Sequence, residues 1–97
     1  MKIFFTEQDV VDAVCVHAAA IHAYRPEQID VDLQFHPKKG FSASARLPYR
    51  TVELVEQELI DAITFYLREY HNFIPENLRI DLQFHEQTGF SADINVP

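Results

Sequence analysis

The residues most able to do chemistry occur in two copies of one five-residue segment, Asp-Leu-Gln-Phe-His. The copies span residues 32–36 and 81–85. In an extended strand, alternate side chains share a face, so each copy would present Asp, Gln and His on one side and Leu and Phe on the other. The candidate binding residues are therefore Asp32, Gln34, His36, Asp81, Gln83 and His85.

These side chains could serve two kinds of site. Imidazole and carboxylate groups suit a borderline divalent ion such as zinc. Within one copy, Asp and His would lie about 13 Å apart along the strand, too far to share an ion. A metal site would have to combine the two copies, with ligands from His36, His85, Asp32 and Asp81. Otherwise the residues form a surface for a protein or small molecule, or simply a polar outer face, and no cofactor is needed.

Other chemically capable residues have simpler interpretations. Cys15 is the single cysteine, so it has no disulfide partner within the chain, and it is expected to be a small packing residue of a helix rather than a nucleophile. His17 lies on the core side of the same predicted helix and is expected to be partly buried and hydrogen-bonded. His22 and His71 fall in last helical turns, where a cation suits the helix dipole. No catalytic motif can be assembled, so we expect a non-enzyme; acid–base catalysis by His36 and His85 is a third possibility.

The two segments belong to a longer internal repeat. After each comes a three-residue gap and then Gly-Phe-Ser-Ala, at 40–43 and 89–92. A shift of 49 positions aligns the two halves of the chain without a gap and gives seventeen identities. The chain is therefore predicted to be a single domain, 1–97, built of two repeats, 1–48 and 49–97, that share one core.

Hydrophobic periodicity supplies the elements of each repeat. Apolar residues at helical spacing predict helices over residues 7–23 and 52–71, the first with Thr6 as N-cap. Strict alternation predicts strands over residues 29–36, 41–47, 78–85 and 90–96, with a tight turn before each of Gly40 and Gly89. The order is α-β-β-α-β-β.

This order predicts an α+β fold with a four-stranded, mainly antiparallel sheet and both helices on one face. The two αββ repeats should be related by a pseudo-two-fold axis. Phe35 and Phe84 would face the core, and the candidate binding residues would line the sheet's other, open face. Unpaired edges and a mixed polar face favour association, and two-fold homodimers are the commonest form.

Charge and composition exclude some classes of partner. The formal net charge is −7, with −1 on residues 1–48 and −6 on residues 49–97, so nucleic acid and anionic membranes are disfavoured. No apolar run approaches the roughly 20 residues of a membrane helix. A lone cysteine and the absence of a leader pattern favour the cytoplasm.

The helical run over residues 6–15, followed by a hairpin containing Gly40-Phe41-Ser42-Ala43, resembles the YxcD-like proteins, a small family of uncharacterised proteins from Bacillus-type bacteria. The likeness covers nearly the whole chain. It implies a bacterial cytosolic protein of unknown function, and it supplies no catalytic residue.

We therefore expect a non-enzymatic binding or regulatory module that acts as a homodimer and meets a protein or small-molecule partner on the polar sheet face. The alternative is a divalent-metal-binding protein that uses the His and Asp residues of that face.

Overall fold

A computed structural model describes residues 1–72 and 76–97 of the chain. These residues form an α+β fold, as predicted, with two helices and two three-stranded antiparallel sheets. The strands are β1 (Lys2–Phe5), β2 (Asp30–His36), β3 (Gly40–Arg46), β4 (Thr51–Val55), β5 (Arg79–His85) and β6 (Gly89–Asn95); the helices are α1 (Glu7–His22) and α2 (Glu56–His71), and Pro26–Gln28 forms one turn of 3-10 helix.

The single four-stranded sheet predicted from the sequence is not what the chain forms. The first sheet has the order β2-β3-β4, and the second has the order β1-β6-β5. The two predicted hairpins are present, as β2–β3 and β5–β6, but each gains a third strand that was not predicted. The added strands pair with β3 and β6, and β2 and β5 are the outer strands of two separate sheets.

Both added strands lie directly before a helix. Residues 52–55 were predicted to begin the second helix, yet they belong to β4, and α2 starts at Glu56. The segment Thr51–Val55 alternates, with Val52 and Leu54 half-buried and its other side chains exposed, and three of its five residues are β-branched. Such a segment suits a strand when a partner edge is present, and β3 supplies that edge.

The third strands are exchanged between the two halves of the chain. Strand β1 pairs with β6, whereas β4 pairs with β3. Phe5 lies opposite Ala92, and Leu54 lies opposite Ala43, so the two pairings have the same register after a shift of 49 positions. Each sheet therefore contains a strand from both halves.

Local capping defines the start of α1. Thr6 is the N-cap, its hydroxyl accepts from the Asp9 amide at 3.2 Å, and the Asp9 carboxylate accepts from the Thr6 amide at 2.9 Å. Phe5 and Val10, on either side of this capping box, are both buried in the same cluster, which is the arrangement of a hydrophobic staple. None of the helices in residues 1–72 and 76–97 is both long and apolar enough to cross a membrane.

The core lies between the helices and the apolar faces of the sheets. Ala13 of α1 and Ala62 of α2 are fully buried, and their small side chains let the two helices approach closely. The fully buried side chains of largest volume are Val10, Val14, Leu59, Ile63, Leu67 and Ile94.

Four phenylalanines join the tips of the two hairpins. Phe35 stacks on Phe84 with ring centroids 5.3 Å apart, and each also contacts the phenylalanine opposite it in its own hairpin, Phe41 or Phe90. Phe35 remains 39% exposed, although the alternation pattern predicted that it would face the core. This cluster lies at the rim of the core, where neither helix covers it completely.

Candidate functional site

The first trio of candidate residues lies on β2, as predicted. Asp32, Gln34 and His36 are all exposed. Asp32 forms an ion pair with Arg46 of β3, and Gln34 accepts a hydrogen bond from the Ser42 hydroxyl at 3.4 Å. Gln34 also lines a groove of about 700 Å³ beside the first hairpin tip. The other side chains of that groove include Phe35, His36, Lys39, Phe41 and Val55.

The second trio lies on β5 and forms a hydrogen-bond chain. The Gln83 amide nitrogen donates to Asp93 of β6 at 2.7 Å, and its amide oxygen lies 3.3 Å from Nε2 of His85. Asp81 is exposed and lies directly opposite Asp93 in the β5–β6 pairing. Two carboxylates face each other at this point, so this part of the face carries negative charge.

The structure does not bring the two trios together as a metal site. Strands β2 and β5 belong to different sheets. The described residues contain no group of three or more His, Cys, Asp and Glu side chains placed to hold a metal ion. His36, His85, Asp32 and Asp81 are therefore separate polar groups, and β2 and β5 meet through phenylalanine stacking instead.

Two exposed apolar residues stand on the same open faces as the trios. Phe4 of β1 lies opposite Asp93 and is 61% exposed, and Val55 of β4 lies opposite Ser42 and is equally exposed. Neither was identified as a surface residue from the sequence, because strands β1 and β4 were not predicted. The open faces are consequently mixed polar and apolar surfaces, which is typical of interfaces.

Cys15 and His17 have environments that do not suit catalysis. Burial raises the pKa of the Cys15 thiol to about 11, with Asp12 and Asp30 adding to the effect, so the thiol stays protonated at neutral pH. It donates to the carbonyl of Ile29 at 3.5 Å. Burial likewise lowers the pKa of His17. The expected hydrogen bond is not found at Nδ1 of His17: this atom is buried and has no partner among residues 1–72 and 76–97, and the ring packs edge-on against Phe65.

A second groove was missed entirely at the level of sequence. It has a volume of about 660 Å³ and runs between α1 and β2. Four consecutive residues, 29–32, line it, together with Asp12, Cys15 and the stacked pair Tyr66 and Tyr70. The sequence pattern placed these tyrosines on the apolar side of α2, and it could not show that a cleft opens beside them.

Comparison with known proteins gives a family but no function. Curated proteins and solved structures returned no match. A family model described as "Protein of unknown function (DUF2653)" matches residues 1–75 and, in a second match, residues 49–97. Because the two matches together span the whole chain, this chain belongs to the DUF2653 family.

Proposed function

We propose that this chain is a non-catalytic binding module that acts as a homodimer, built from two copies of one βαββ unit that exchange their first strands. The observation that carries the proposal is the pair of open sheet faces, where polar side chains surround the exposed Phe4 and Val55. An exposed Phe on a small protein adds apolar area that water disfavours, and association removes it.

The repeat is supported by contacts that the two halves make in the same way. Glu7 accepts from the Phe90 amide at 3.0 Å, and Glu56 accepts from the Phe41 amide at 3.1 Å. Gln8 donates to Asp12 as Gln57 donates to Asp61. Many of the residues that are identical between the halves thus have the same partners. Pro75, the counterpart of Pro26, lies outside the described residues.

A binding role is favoured over catalysis by the chemistry of the candidate groups. The Cys15 thiol is held in its protonated form, and the two histidines of the open faces hydrogen-bond to neighbours within their own hairpins, His36 to the Lys38 amide and His85 to Gln83. The six residues Asp32, Gln34, His36, Asp81, Gln83 and His85 are therefore proposed as contact residues of the binding faces.

The remaining proposals concern the location of the protein in the cell, its origin and its partners. We propose a cytoplasmic location, which rests on the single cysteine, and a bacterial origin among the YxcD-like proteins, which rests on the resemblance over residues 6–15 and 40–43. Nucleic acid is disfavoured as a partner by the net charge of −7.

Light scattering over a range of concentrations tests the homodimer. One chain has a mass of 11.3 kDa, and we expect twice that mass at micromolar concentration. Phe4→Glu should shift the protein toward the monomer, because the counterpart of Phe4 is Glu53 and a glutamate is compatible with the strand there. Tyr49→Ser is the control, since Tyr49 is 90% exposed but lies between β3 and β4. A monomeric mass at every concentration contradicts the proposal.

A further inference from the structure

The unpaired edge of β2 opens into the groove beside α1. Within residues 1–72 and 76–97, β2 pairs with β3 alone. Residues 29–32 all line the groove although their side chains alternate between the two faces of the strand. Consecutive residues can share one groove only where it meets the strand edge-on. The groove therefore exposes backbone as well as side chains.

The direction of the backbone groups can be read from one hydrogen bond. The Ile29 carbonyl accepts from Cys15 of α1, so it points to the α1 side of the chain. Peptide groups of alternate residues point to the same side of an antiparallel strand. The N–H and C=O of Val31 consequently point to the same side, where no strand pairs with β2 among the described residues.

The groove is strongly acidic. Among the described residues that line it, the carboxylates are Asp12, Glu27, Asp30 and Asp32, and the one cation, Arg46, is paired with Asp32. Asp12 and Asp30 have no ion-pair partner within the described part of the chain. Burial raises the pKa values of Cys15 and Tyr66, and the Asp12 carboxylate adds to the rise at both groups.

The far wall of the groove is aromatic. Tyr66 and Tyr70 stack with ring centroids 5.1 Å apart, and Tyr70 is exposed. Tyrosine faces attract the ammonium of Lys and the guanidinium of Arg. Carboxylates on the strand side and tyrosines on the helix side thus favour the same kind of partner side chain.

The other half of the chain lacks this arrangement. At the corresponding edge strand, β5, Arg79 stands at the position of Asp30, and Asn95 of β6 stands at the position of Arg46. The two hairpins therefore differ at this edge: a cation replaces Asp30 in β5, whereas Asp81 keeps the position of Asp32.

We propose that the groove between α1 and β2 binds an extended peptide segment with basic side chains from another protein, which adds a strand to the edge of β2. Main-chain hydrogen bonds to residues such as Val31 would give affinity, and the carboxylates would select Lys and Arg in the partner. The inference builds on the binding role proposed above and names the class of partner, but it is separable from the homodimer.

The test uses the full chain and an acetylated, amidated octapeptide in which Lys alternates with Val. Heteronuclear NMR should show shifts concentrated on residues 29–33 and on α1, together with slowed amide exchange at Val31. A peptide of the same charge that is N-methylated on alternate backbone nitrogens should bind much more weakly, because one edge of it can no longer donate. Equal binding by the methylated peptide would overturn strand addition.

Matched variants test the charge. Asp12→Asn should weaken binding about fivefold, the range of one exposed ion pair. Asp61→Asn is the control, since Asp61 accepts the same hydrogen bond from its own glutamine but does not line the groove. Equal losses in both variants, or shifts centred on β5 or the open faces, would overturn the proposed site. Displacement of a dimer by the peptide would instead make a second copy the occupant, and would also overturn it. Light scattering on the peptide-free protein reports the homodimer independently.

Discussion

His17 is a titratable side chain whose environment favours its neutral form. Its Nδ1 is buried and has no hydrogen-bond partner in the described part of the chain. Burial lowers its pKa against the opposing pull of Asp61 and Glu58, while Arg68 also lowers it. When pH falls through the ordinary histidine range near 6.5, the unfolded chain takes up this proton before the folded chain does. His17 therefore makes the fold less stable as pH falls from about 6.5 toward its own lowered pKa.

His17→Phe should remove that loss. The ring still packs against Phe65, and the unpartnered nitrogen is gone. At pH 7.5 we expect the free energy of unfolding to stay equal or to rise by up to about 1 kcal/mol. Urea unfolding at pH 7.5 and pH 5.5 measures the effect, and the wild type should lose more stability between the two than the variant. Equal losses would mean that His17 is hydrated in solution.

The exposed histidines of the open faces should contribute little to stability, unlike His17. His36 and His85 are exposed, so changing both to Ala should alter the free energy of unfolding by less than about 1 kcal/mol. Zinc and EDTA should leave the melting temperature of wild type and double variant unchanged. Calorimetry measures both quantities. If zinc raised the melting temperature of the wild type but not of the double variant, the result would support the metal alternative instead.

At the scale of elements, one glutamate at the start of each helix accepts a hydrogen bond from the hairpin in the other half of the chain. Glu56, the first residue of α2, accepts from the Phe41 amide of β3, and Gly40 lies directly beneath its carboxylate. A Cβ on Gly40 would lie 2.7 Å from Oε1 of Glu56, and Gly40 has a φ of +84°. The glycine is thus needed for both backbone conformation and contact, and Gly89 has the same contact with Glu7.

Gly40→Ala should destabilise the protein by about 1–2 kcal/mol, the usual cost of a left-handed non-glycine residue. The added methyl also displaces the Glu56 carboxylate, so Gly40→Ala and Glu56→Ala should lose less together than the sum of their separate losses. Urea unfolding of the two single variants and the double variant gives the coupling. Strict additivity would show that the glycine is required for φ alone.

The hairpins and helices could be predicted from sequence because their signals are local. Alternation over 29–36 and the Thr6 capping box each depend on neighbouring residues, and the structure confirms both within a residue or two. Strands β1 and β4 could not be predicted in the same way. They are four and five residues long, and each is held by a partner strand from the other half of the chain. Their pairing depends on tertiary structure, which overrides weak local preference.

The candidate site, too, could be predicted only where the signal was local. Alternation correctly placed Asp32, Gln34 and His36 on an exposed face. It could not show that β2 and β5 end in different sheets, nor that α1 leaves a groove beside the free edge of β2. Strand order is a long-range property, and both the placement of the two trios in separate sheets and the groove beside β2 follow from it.

At the scale of the whole molecule, the two ends of the chain are hydrogen-bonded to each other in the same way as the residues that connect its halves. The Leu47 amide donates to the Arg50 carbonyl at 2.7 Å, and the Val96 amide donates to the Met1 carbonyl at the same distance. A shift of 49 positions converts one bond into the other. The Met1 amino group also donates to the Val96 carbonyl at 2.9 Å. The opening between Pro97 and Met1 therefore corresponds to the linker around Tyr49.

This geometry predicts that the chain tolerates circular permutation. A variant that begins at Tyr49, with one glycine joining Pro97 to Met1, keeps every strand pairing and moves only the break in the chain. Closing a short gap between ends already in contact costs little loop entropy. We expect the free energy of unfolding to stay within about 1 kcal/mol of the parent, measured by urea denaturation, and the amide spectrum to be retained.

The control is a permutant opened inside α1 between Val14 and Cys15, which divides a packed helix and should fail to fold. If the variant opened at Tyr49 also failed, the exchanged strands could not be equivalent, and the pseudo-two-fold construction of the fold would be wrong.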